Sequence, residues 1–145
     1  MDRFGELGRR LLADGNIELV IVGGPGDLEY ATLLTQAWGD GIVAAGQLDI
    51  YEMSALIGMS DLYIGLDTGT THLASAVGAR ILALFSDHNW PGEWDPLAPK
   101  HKVIYNHVPC SGCQKMVCPV QGHPCMTGIS VDQVYAVAKE MLDKP

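Results

Sequence analysis

The most informative stretch of the chain covers residues 62–72 and reads Leu62-Tyr63-Ile64-Gly65-Leu66-Asp67-Thr68-Gly69-Thr70-Thr71-His72. Its first five residues form an apolar run that predicts a buried strand, and the next four predict a turn into a helix over residues 71–77. Gly78 follows as the expected C-terminal stop of that helix. The stretch therefore predicts a strand–turn–helix unit.

Mostly apolar runs and helical patterns alternate along the rest of the chain. Four further strands are predicted at residues 17–22, 42–45, 81–85 and 102–105. Asp49 with Glu52 and Ser130 with Gln133 predict capping boxes at the starts of two helices. Because the strands read as continuous apolar runs, they indicate a parallel sheet that helices cover on both faces. The predicted fold class is α/β: a doubly wound, Rossmann-like parallel sheet in one domain over residues 1–145.

Composition restricts the classes of function. The 145 residues are 48% apolar, which is enough to bury a substantial core, and the formal net charge is −8. A general nucleic-acid binder needs a basic face to meet phosphates, so no nucleic-acid partner is expected. No apolar run approaches the ~20 residues of a membrane span and no basic-then-apolar leader opens the chain, so a cytoplasmic location is expected.

The turn from Asp67 to His72 has the composition of an anion site. Ligands of parallel α/β sheets bind beyond the carboxyl ends of the strands, where a helix start offers unpaired N–H groups and the positive end of its dipole. Gly69 would allow a ligand to approach the backbone closely. The side chains expected to contact it are Thr68, Thr70, Thr71 and His72. An ordinary helix cap followed by an exposed histidine would produce the same pattern.

The letters Asp67-Thr68-Gly69 also occur as the signature of aspartic proteases. Those enzymes need a second catalytic aspartate, which shares a proton with the first, and an all-β fold. Here the motif opens a predicted helix. An aspartic protease is therefore not expected.

Two other loops follow predicted strands at the same edge of the sheet. Gly23-Gly24-Pro25-Gly26-Asp27 has the composition of a turn and lacks the residue order of a dinucleotide-binding or P-loop motif. Asp27 and Glu29 are better suited to accept protons from ribose hydroxyls than to contact phosphate, although acidic residues also favour a helix start on their own. The Trp- and Pro-rich loop 86–100 is either part of a functional site or a stiff cover for the sheet.

All four cysteines lie in one short segment with the pattern C-x2-C-x4-C-x6-C, at Cys110, Cys113, Cys118 and Cys125. Four thiolates can hold a tetrahedral zinc ion, and the first pair has the usual knuckle spacing. The second pair does not, and the spacing matches no iron–sulfur motif. No metal is therefore expected, and the expected state is reduced thiols that shape a loop.

Taken in order, these segments resemble the C-terminal half of the lipopolysaccharide heptosyltransferases, glycosyltransferase family nine. The resemblance rests on residues 22–27, on residues 60–69 and on His72-Leu73-Ala74, and its most specific element is Asp-Thr-Gly-x-x-His on a strand–turn–helix. The loop with Trp94 and Pro96 and the cysteine cluster before a final helix complete the order. The resemblance extends over nearly the whole chain.

This resemblance implies the GT-B architecture, in which two Rossmann-like domains face each other and the C-terminal domain holds most of a nucleotide-sugar donor. The implied reaction is an inverting transfer of heptose from a donor such as ADP-heptose to the inner core of lipopolysaccharide, with no cofactor and no required metal. Oriented amides at a helix start would stabilise the negative charge that develops on the departing diphosphate.

The family's pattern also assigns roles to residues of this chain. Asp67 would contact hydroxyls of the donor sugar, and the amides of Thr68 and Gly69, together with His72, would hold the diphosphate. The remaining donor-binding residues that the resemblance implies are Thr70 in the same turn, Leu48 near the base, and Asp27 or Glu29 near the ribose.

The resemblance further predicts features outside this sequence. Another strand and a basic residue near the phosphates would precede Met1, and the acceptor site and the general base would belong to an N-terminal domain that is absent. Residues 1–145 are therefore expected to be a donor-binding domain that transfers no sugar alone. An unpaired sheet edge is expected to allow a homodimer, and the full protein is expected at the inner face of the inner membrane.

Three other interpretations stay open from the residues alone. A free-standing nucleotide-binding module would be favoured if the natural gene began near Met1. A zinc-stabilised interaction domain would be supported by stoichiometric bound zinc. Another GT-B enzyme, such as a sugar-nucleotide epimerase, is the nearest enzymatic alternative, and the Asp-Thr-Gly-x-x-His motif disfavours it.

Overall fold

The computed structural model describes residues 2–143, which divide into two compact units on either side of the bond between residues 56 and 57. The first unit contains α1 (Arg3–Ala13), β1 (Val20–Ile21), a 3-10 turn (Pro25–Asp27), α2 (Leu28–Trp38) and β2 (Ile42–Val43). Helix α3 (Ile50–Met59) includes residues 56 and 57. The second unit contains β3 (Tyr63–Leu66), α4 (Gly69–Ala76), β4 (Ile81–Leu84), β5 (His101–Ile104), α5 (Pro124–Thr127) and α6 (Val131–Asp143).

In the first unit, α1 packs against α2. A Cβ atom at Gly8 would overlap the indole ring of Trp38, so the glycine allows the two helices to approach. The indole Nε1 of Trp38 donates a hydrogen bond of 3.2 Å to the carbonyl of Phe4. Close packing therefore explains a glycine in the interior of a helix, where it is otherwise unfavourable.

Strands β1 and β2 pair in parallel, with Val20 opposite Ile42. Backbone hydrogen bonds continue beyond the assigned strand ends. The amide of Ile42 donates to the carbonyl of Leu19 at 2.8 Å, and the amide of Gly46 donates to the carbonyl of Gly23 at 3.0 Å. The strand predicted at residues 17–22 is therefore shorter than expected at its start, whereas its end pairs as far as Gly23.

The second unit contains a three-stranded parallel sheet in the order β3-β4-β5. All four residues of the central strand β4 are buried. The register places Leu66, Leu84 and Ile104 side by side, so the three strands end at the same edge. The loops that follow these strands, which start at residues 67, 85 and 105, therefore begin next to one another.

The capping box predicted at Asp49 and Glu52 is in place, and the one predicted at Ser130 and Gln133 shows one of its two hydrogen bonds among the described residues. The amide of Asp49 donates to Glu52 at 2.9 Å, and the amide of Glu52 donates to Asp49 at 2.9 Å. At the last helix, the amide of Gln133 donates to the hydroxyl of Ser130 at 3.1 Å. These local hydrogen bonds satisfy amides that a helix start leaves without a partner.

The predicted α/β class is confirmed, and every strand pair in residues 2–143 is parallel. The predicted strands at 62–66, 81–85 and 102–105 match β3, β4 and β5 to within one residue at each end. Helix α4 starts at Gly69, two residues before the prediction, because the carbonyl of Thr68 already accepts from the amide of Thr71 at 3.0 Å. None of the helices among residues 2–143 has the length and apolar composition needed to span a bilayer.

Candidate functional site

The turn from Asp67 to His72 joins the end of β3 to the first turn of α4. Thr68 is the N-cap residue of α4, and its side chain makes no capping hydrogen bond. Its hydroxyl lies 2.9 Å from the hydroxyl of Thr70 instead. The first amides of α4 therefore lack the usual side-chain acceptor, which is the condition under which a helix start binds an anion.

Gly69 leaves open space at this helix start. A Cβ atom added there would meet no atom of residues 2–143 within 4 Å, apart from its two chain neighbours and the backbone of its own helix. The backbone at Gly69 is not in the left-handed region, so the conformation does not require glycine. The glycine instead leaves room for another molecule to reach the backbone of the turn, and the close approach of a ligand there stays a prediction.

The carboxylate of Asp67 lies between two side chains. Its Oδ1 atom is 3.7 Å from Nε2 of His72, and its Oδ2 atom accepts a hydrogen bond of 3.3 Å from the side-chain amide of Asn89. The side chains of Asp67 and His72 remain 29% and 41% exposed. The structure therefore holds a carboxylate in a defined position while leaving it open to a ligand that donates hydroxyl hydrogens.

The Trp-rich loop, residues 86–100, packs against this turn. The ring of Trp94 contacts the ring of His72 edge-on, with centroids 5.9 Å apart. Ser75 of α4 accepts hydrogen bonds from the amides of Leu97 and Ala98, at 2.8 and 3.0 Å, and so ties the end of the loop to the helix. The loop is therefore ordered next to the Asp67–His72 turn, which favours the interpretation that it belongs to the site.

Two hydroxyls of the turn have partners inside the protein. Thr71 is fully buried, and its hydroxyl donates to the carbonyl of Leu66 at 2.6 Å. The prediction that Thr71 offers its hydroxyl to a ligand is therefore wrong, because the helix turns this side chain into the core. Thr70 accepts a hydrogen bond of 2.8 Å from the phenol of Tyr63, and its contact with a donor stays a prediction.

Neither Tyr63 nor Asn89 was singled out from the sequence as a support for this turn. A Cβ atom at Gly65 would lie 2.6 Å from the ring of Tyr63, so the ring crosses the strand above that glycine. Residues two apart on a strand share a face. A glycine two positions after an aromatic residue in a buried strand was thus the signal in the sequence that the ring of Tyr63 lies across the strand. For Asn89 the sequence offers no comparable signal.

Three predicted donor-binding residues lie in the first unit. The carboxylate of Asp27 accepts a hydrogen bond of 2.8 Å from the amide of Gly24 and closes the 3-10 turn. Glu29 is exposed in the first turn of α2, and Leu48 is half-buried in the bend before α3. The turn accounts for Asp27 without a ligand, so the ribose and base contacts of these residues stay predictions.

Tyr105, which directly follows β5, connects that strand to the Trp-rich loop. Its phenol donates to the carboxylate of Asp95, and the amide of Gly92 donates to the phenol oxygen at 3.5 Å. Burial, followed by the hydrogen bond to Asp95, raises the pKa of Tyr105 well above its ordinary value of 10.0. The phenol therefore stays protonated and keeps its donor at neutral pH.

The four cysteines line one cavity of about 230 Å³ in the second unit, together with His88 and His123. All four are free thiols, of which Cys125 is buried and Cys110 is exposed. Among residues 2–143, no three His, Cys, Asp or Glu side chains are arranged so that they could hold a metal ion. The chain thus brings Cys113 and Cys118 to the same cavity as the other two cysteines.

Known heptosyltransferases are similar to this chain in sequence. The lipooligosaccharide heptosyltransferase 2 of Campylobacter jejuni subsp. jejuni serotype O:2 is 27% identical to it over 90 residues. The protein of the same name from serotype O:6 is 24% identical over 89 residues. Each match covers 59% of this chain and 27% of the relative, so the matched part is about a quarter of the relatives' length.

Solved structures show the same fold. The Escherichia coli ADP-heptose lps heptosyltransferase II matches with a TM-score of 0.78 and 21% identity, over 98% of this chain and 41% of that chain. A family 9 glycosyl transferase from Veillonella parvula matches with a TM-score of 0.81 and 24% identity, over 99% of this chain and 41% of that chain. The predicted Rossmann-like fold of the GT-B glycosyltransferases is confirmed.

A family model agrees with these relatives. The model described as glycosyltransferase family 9 (heptosyltransferase) matches residues 1–123, which include the whole Asp67–His72 turn and the first three cysteines. The match extends over most of the chain. The matched family is the one that the order of the motifs predicted. This chain belongs to glycosyltransferase family 9, the heptosyltransferase family.

Proposed function

We propose that this chain forms the donor-binding part of an inverting glycosyltransferase that transfers heptose from a nucleotide sugar, ADP-heptose or a related one, to the inner core of lipopolysaccharide. The observation that carries the proposal is the uncapped start of α4 at the end of β3, flanked by Asp67 and His72. Family membership supports the reaction class, and the names of the relatives support the donor and the acceptor. They do not favour a free-standing module or an epimerase.

The chemistry follows from charge. Transfer of the sugar leaves negative charge on the departing diphosphate. The amides of Thr68 and Gly69 would bind that charge in a fixed orientation, and His72 would add a hydrogen bond, so no protein group has to reorganise as the bond breaks. Asp67, held by Asn89, would accept hydroxyl hydrogens of the donor sugar. No residue of this mechanism requires a metal ion or another cofactor.

The acceptor side of the reaction is proposed to lie in a further domain of the whole protein. A general base must come within hydrogen-bond reach of the acceptor hydroxyl, and the acceptor must be held against the anomeric carbon. A lipid-anchored acceptor would place the whole protein at the inner face of the inner membrane. Dimerisation through a sheet edge stays a prediction of its own.

An NMR titration tests the donor site. We expect ADP to shift the amide signals of Thr68, Gly69 and His72, and ADP-heptose to shift in addition the side-chain amide of Asn89. Shifts confined to the cysteine segment, residues 110–125, would overturn the assignment.

A product assay tests whether the acceptor side of the reaction lies outside this chain. The 145-residue chain and a protein that carries an upstream acceptor domain would be compared with ADP-heptose and a lipid acceptor. We expect only the longer protein to form product. Comparable turnover by both would show that the general base lies within these 145 residues.

A further inference from the structure

Beyond the ends of β4 and β5, Asp87 and His107 form a carboxylate–imidazole pair that the donor site does not use. Asp87 is 1% exposed. Its carboxylate accepts the amide of Val108 at 3.0 Å, and Nδ1 of His107 lies 3.0 and 3.3 Å from its two oxygens. Carboxylate oxygens accept hydrogen bonds, so this contact favours the ring form with a hydrogen on Nδ1 of His107. In the neutral ring, Nε2 then carries the lone pair.

A second contact fixes the plane of this imidazole. The ring of His107 stacks on the ring of Tyr105, with centroids 5.6 Å apart and an interplanar angle of 13°. Tyr105 is itself held by its hydrogen bond to Asp95 and by an edge-to-face contact with Phe85, whose ring centroid is 6.0 Å away. One edge and one face of the imidazole are therefore occupied by the protein.

The other edge of the imidazole is open. The side chain of His107 is 65% exposed, and Nε2 has no hydrogen-bond partner within the described part of the chain, residues 2–143. Burial of the Asp87 carboxylate costs free energy, because the group loses its hydration and has to be paired. An exposed histidine without a function would not need such a partner. The pair thus presents one lone pair in a fixed direction.

We propose that His107, positioned by Asp87, contacts a sugar: its Nε2 atom accepts a hydrogen bond from a sugar hydroxyl. The surroundings favour a hydroxyl donor over an anion, because the carboxylate of Asp87 lies 3.0 Å from Nδ1 on the other side of the same ring. An anion at Nε2 would be repelled by this charge. The class of ligand rests on the proposed function, whereas the orientation of His107 does not.

The sugar has two sources, the donor and the acceptor, and the probes separate them. Side-chain nitrogen signals of the five histidines would be recorded on the full chain, first alone and then with ADP, ADP-heptose or a lipid-free heptose-containing core oligosaccharide. In the chain without ligand, we expect His107 to show the tautomer protonated at Nδ1. A shift of its Nε2 signal with ADP-heptose but not with ADP assigns the donor sugar, and a shift with the oligosaccharide assigns the acceptor.

Affinities provide a second measurement. We expect His107→Ala to weaken binding of the responding sugar ligand about tenfold, the effect of one lost hydrogen bond, and to leave ADP binding unchanged. His101→Ala serves as the matched control, because His101 lies at the opposite end of β5. Asp87→Asn should lower the Nδ1-protonated population of His107, which a merely structural role of Asp87 would not do. If that variant does not fold, the wild-type tautomer and His107→Ala decide.

Two results would overturn the proposal: a wild-type His107 that carries a hydrogen on Nε2 at neutral pH, with or without one on Nδ1, or an Nε2 signal that neither sugar probe moves at saturating probe concentrations. Failure of the donor site would look different. In that case ADP would leave the amides of Thr68 and Gly69 unshifted, whatever His107 did with the oligosaccharide.

Discussion

The Nε2 atom of His72 lies 3.7 Å from the Oδ1 atom of Asp67, across the start of α4. This distance is too long for a hydrogen bond and short enough for an ion pair when the imidazole is protonated. Both side chains are partly exposed, so such a pair contributes little to stability. Either group can therefore turn to a ligand without breaking a strong contact, while Asn89 keeps the other carboxylate oxygen in place.

Gly69→Ala should separate stability from binding. The added methyl group meets no described atom, so we expect the free energy of unfolding to stay unchanged or rise by about 0.4–1 kcal/mol. The same methyl group would occupy the space of the ligand, and ADP affinity should fall about fivefold or more. Gly58→Ala is the control, because its Cβ would make an ordinary 3.8 Å contact with Val77. Urea unfolding and calorimetric titration measure both quantities, and wild-type ADP affinity in Gly69→Ala would contradict the site.

Asp67→Asn should weaken binding of the donor sugar and leave binding of the nucleotide unchanged. An amide accepts fewer hydroxyl hydrogens than a carboxylate, so we expect ADP-heptose affinity to fall about tenfold and ADP affinity to change little. Asp61→Asn makes the same change of charge at an exposed residue before β3 and should alter neither affinity. Equal losses for ADP and ADP-heptose would show that Asp67 does not contact the sugar.

Thr71→Val should destabilise the turn. The substitution removes the hydroxyl that donates to the carbonyl of Leu66 at 2.6 Å and leaves that oxygen only the longer contact of 3.5 Å from the hydroxyl of Thr68. We expect the free energy of unfolding to fall by about 0.5–1.5 kcal/mol, the net contribution of one hydrogen bond. Thr32→Val, on the exposed face of α2, should change it by less than about 0.5 kcal/mol. Equal unfolding midpoints for the two variants would argue against a structural role of the Thr71 hydroxyl.

Tyr105 should make stability depend on pH in the alkaline range. The pKa of Tyr105 is raised in the folded chain, so its phenol ionises at lower pH in the unfolded chain than in the folded one. The contribution of the protonated phenol to the free energy of unfolding is therefore fully present below about pH 10 and is lost as the pH rises above that value. Tyr105→Phe should therefore show a smaller decrease in unfolding free energy above about pH 10. The pKa of Tyr30, raised to about 12 by burial and by Asp2, adds a separate dependence, which makes Tyr30→Phe the comparison. Identical pH profiles for wild type and Tyr105→Phe would refute the effect.

The four cysteines should bind no stoichiometric metal. Only one pair has the spacing of a zinc knuckle, and no three ligand side chains are suitably arranged in residues 2–143. We expect chelator treatment to leave the thermal midpoint unchanged and elemental analysis to find no zinc. One equivalent of zinc that survives chelation and gel filtration would overturn this prediction.

Local sequence determined the order of the elements and the motif at the site. Caps such as Asp49 with Glu52 act over three residues, and apolar runs such as 81–85 report burial directly, so both could be read from the chain. The turn from Asp67 to His72 was also predicted, because a strand, a glycine turn and a helix follow one another without interruption.

Only the tertiary structure decided which side chains meet. Asn89 reaches Asp67 from 22 residues away, and Asp87 reaches His107 from 20 residues away, because β3, β4 and β5 end side by side. Thr71 looked like a ligand-binding hydroxyl in the sequence, and the helix turned it into the core. Short-range patterns specify elements, whereas the contacts between loops depend on the order of strands in the sheet, which no single loop sequence contains.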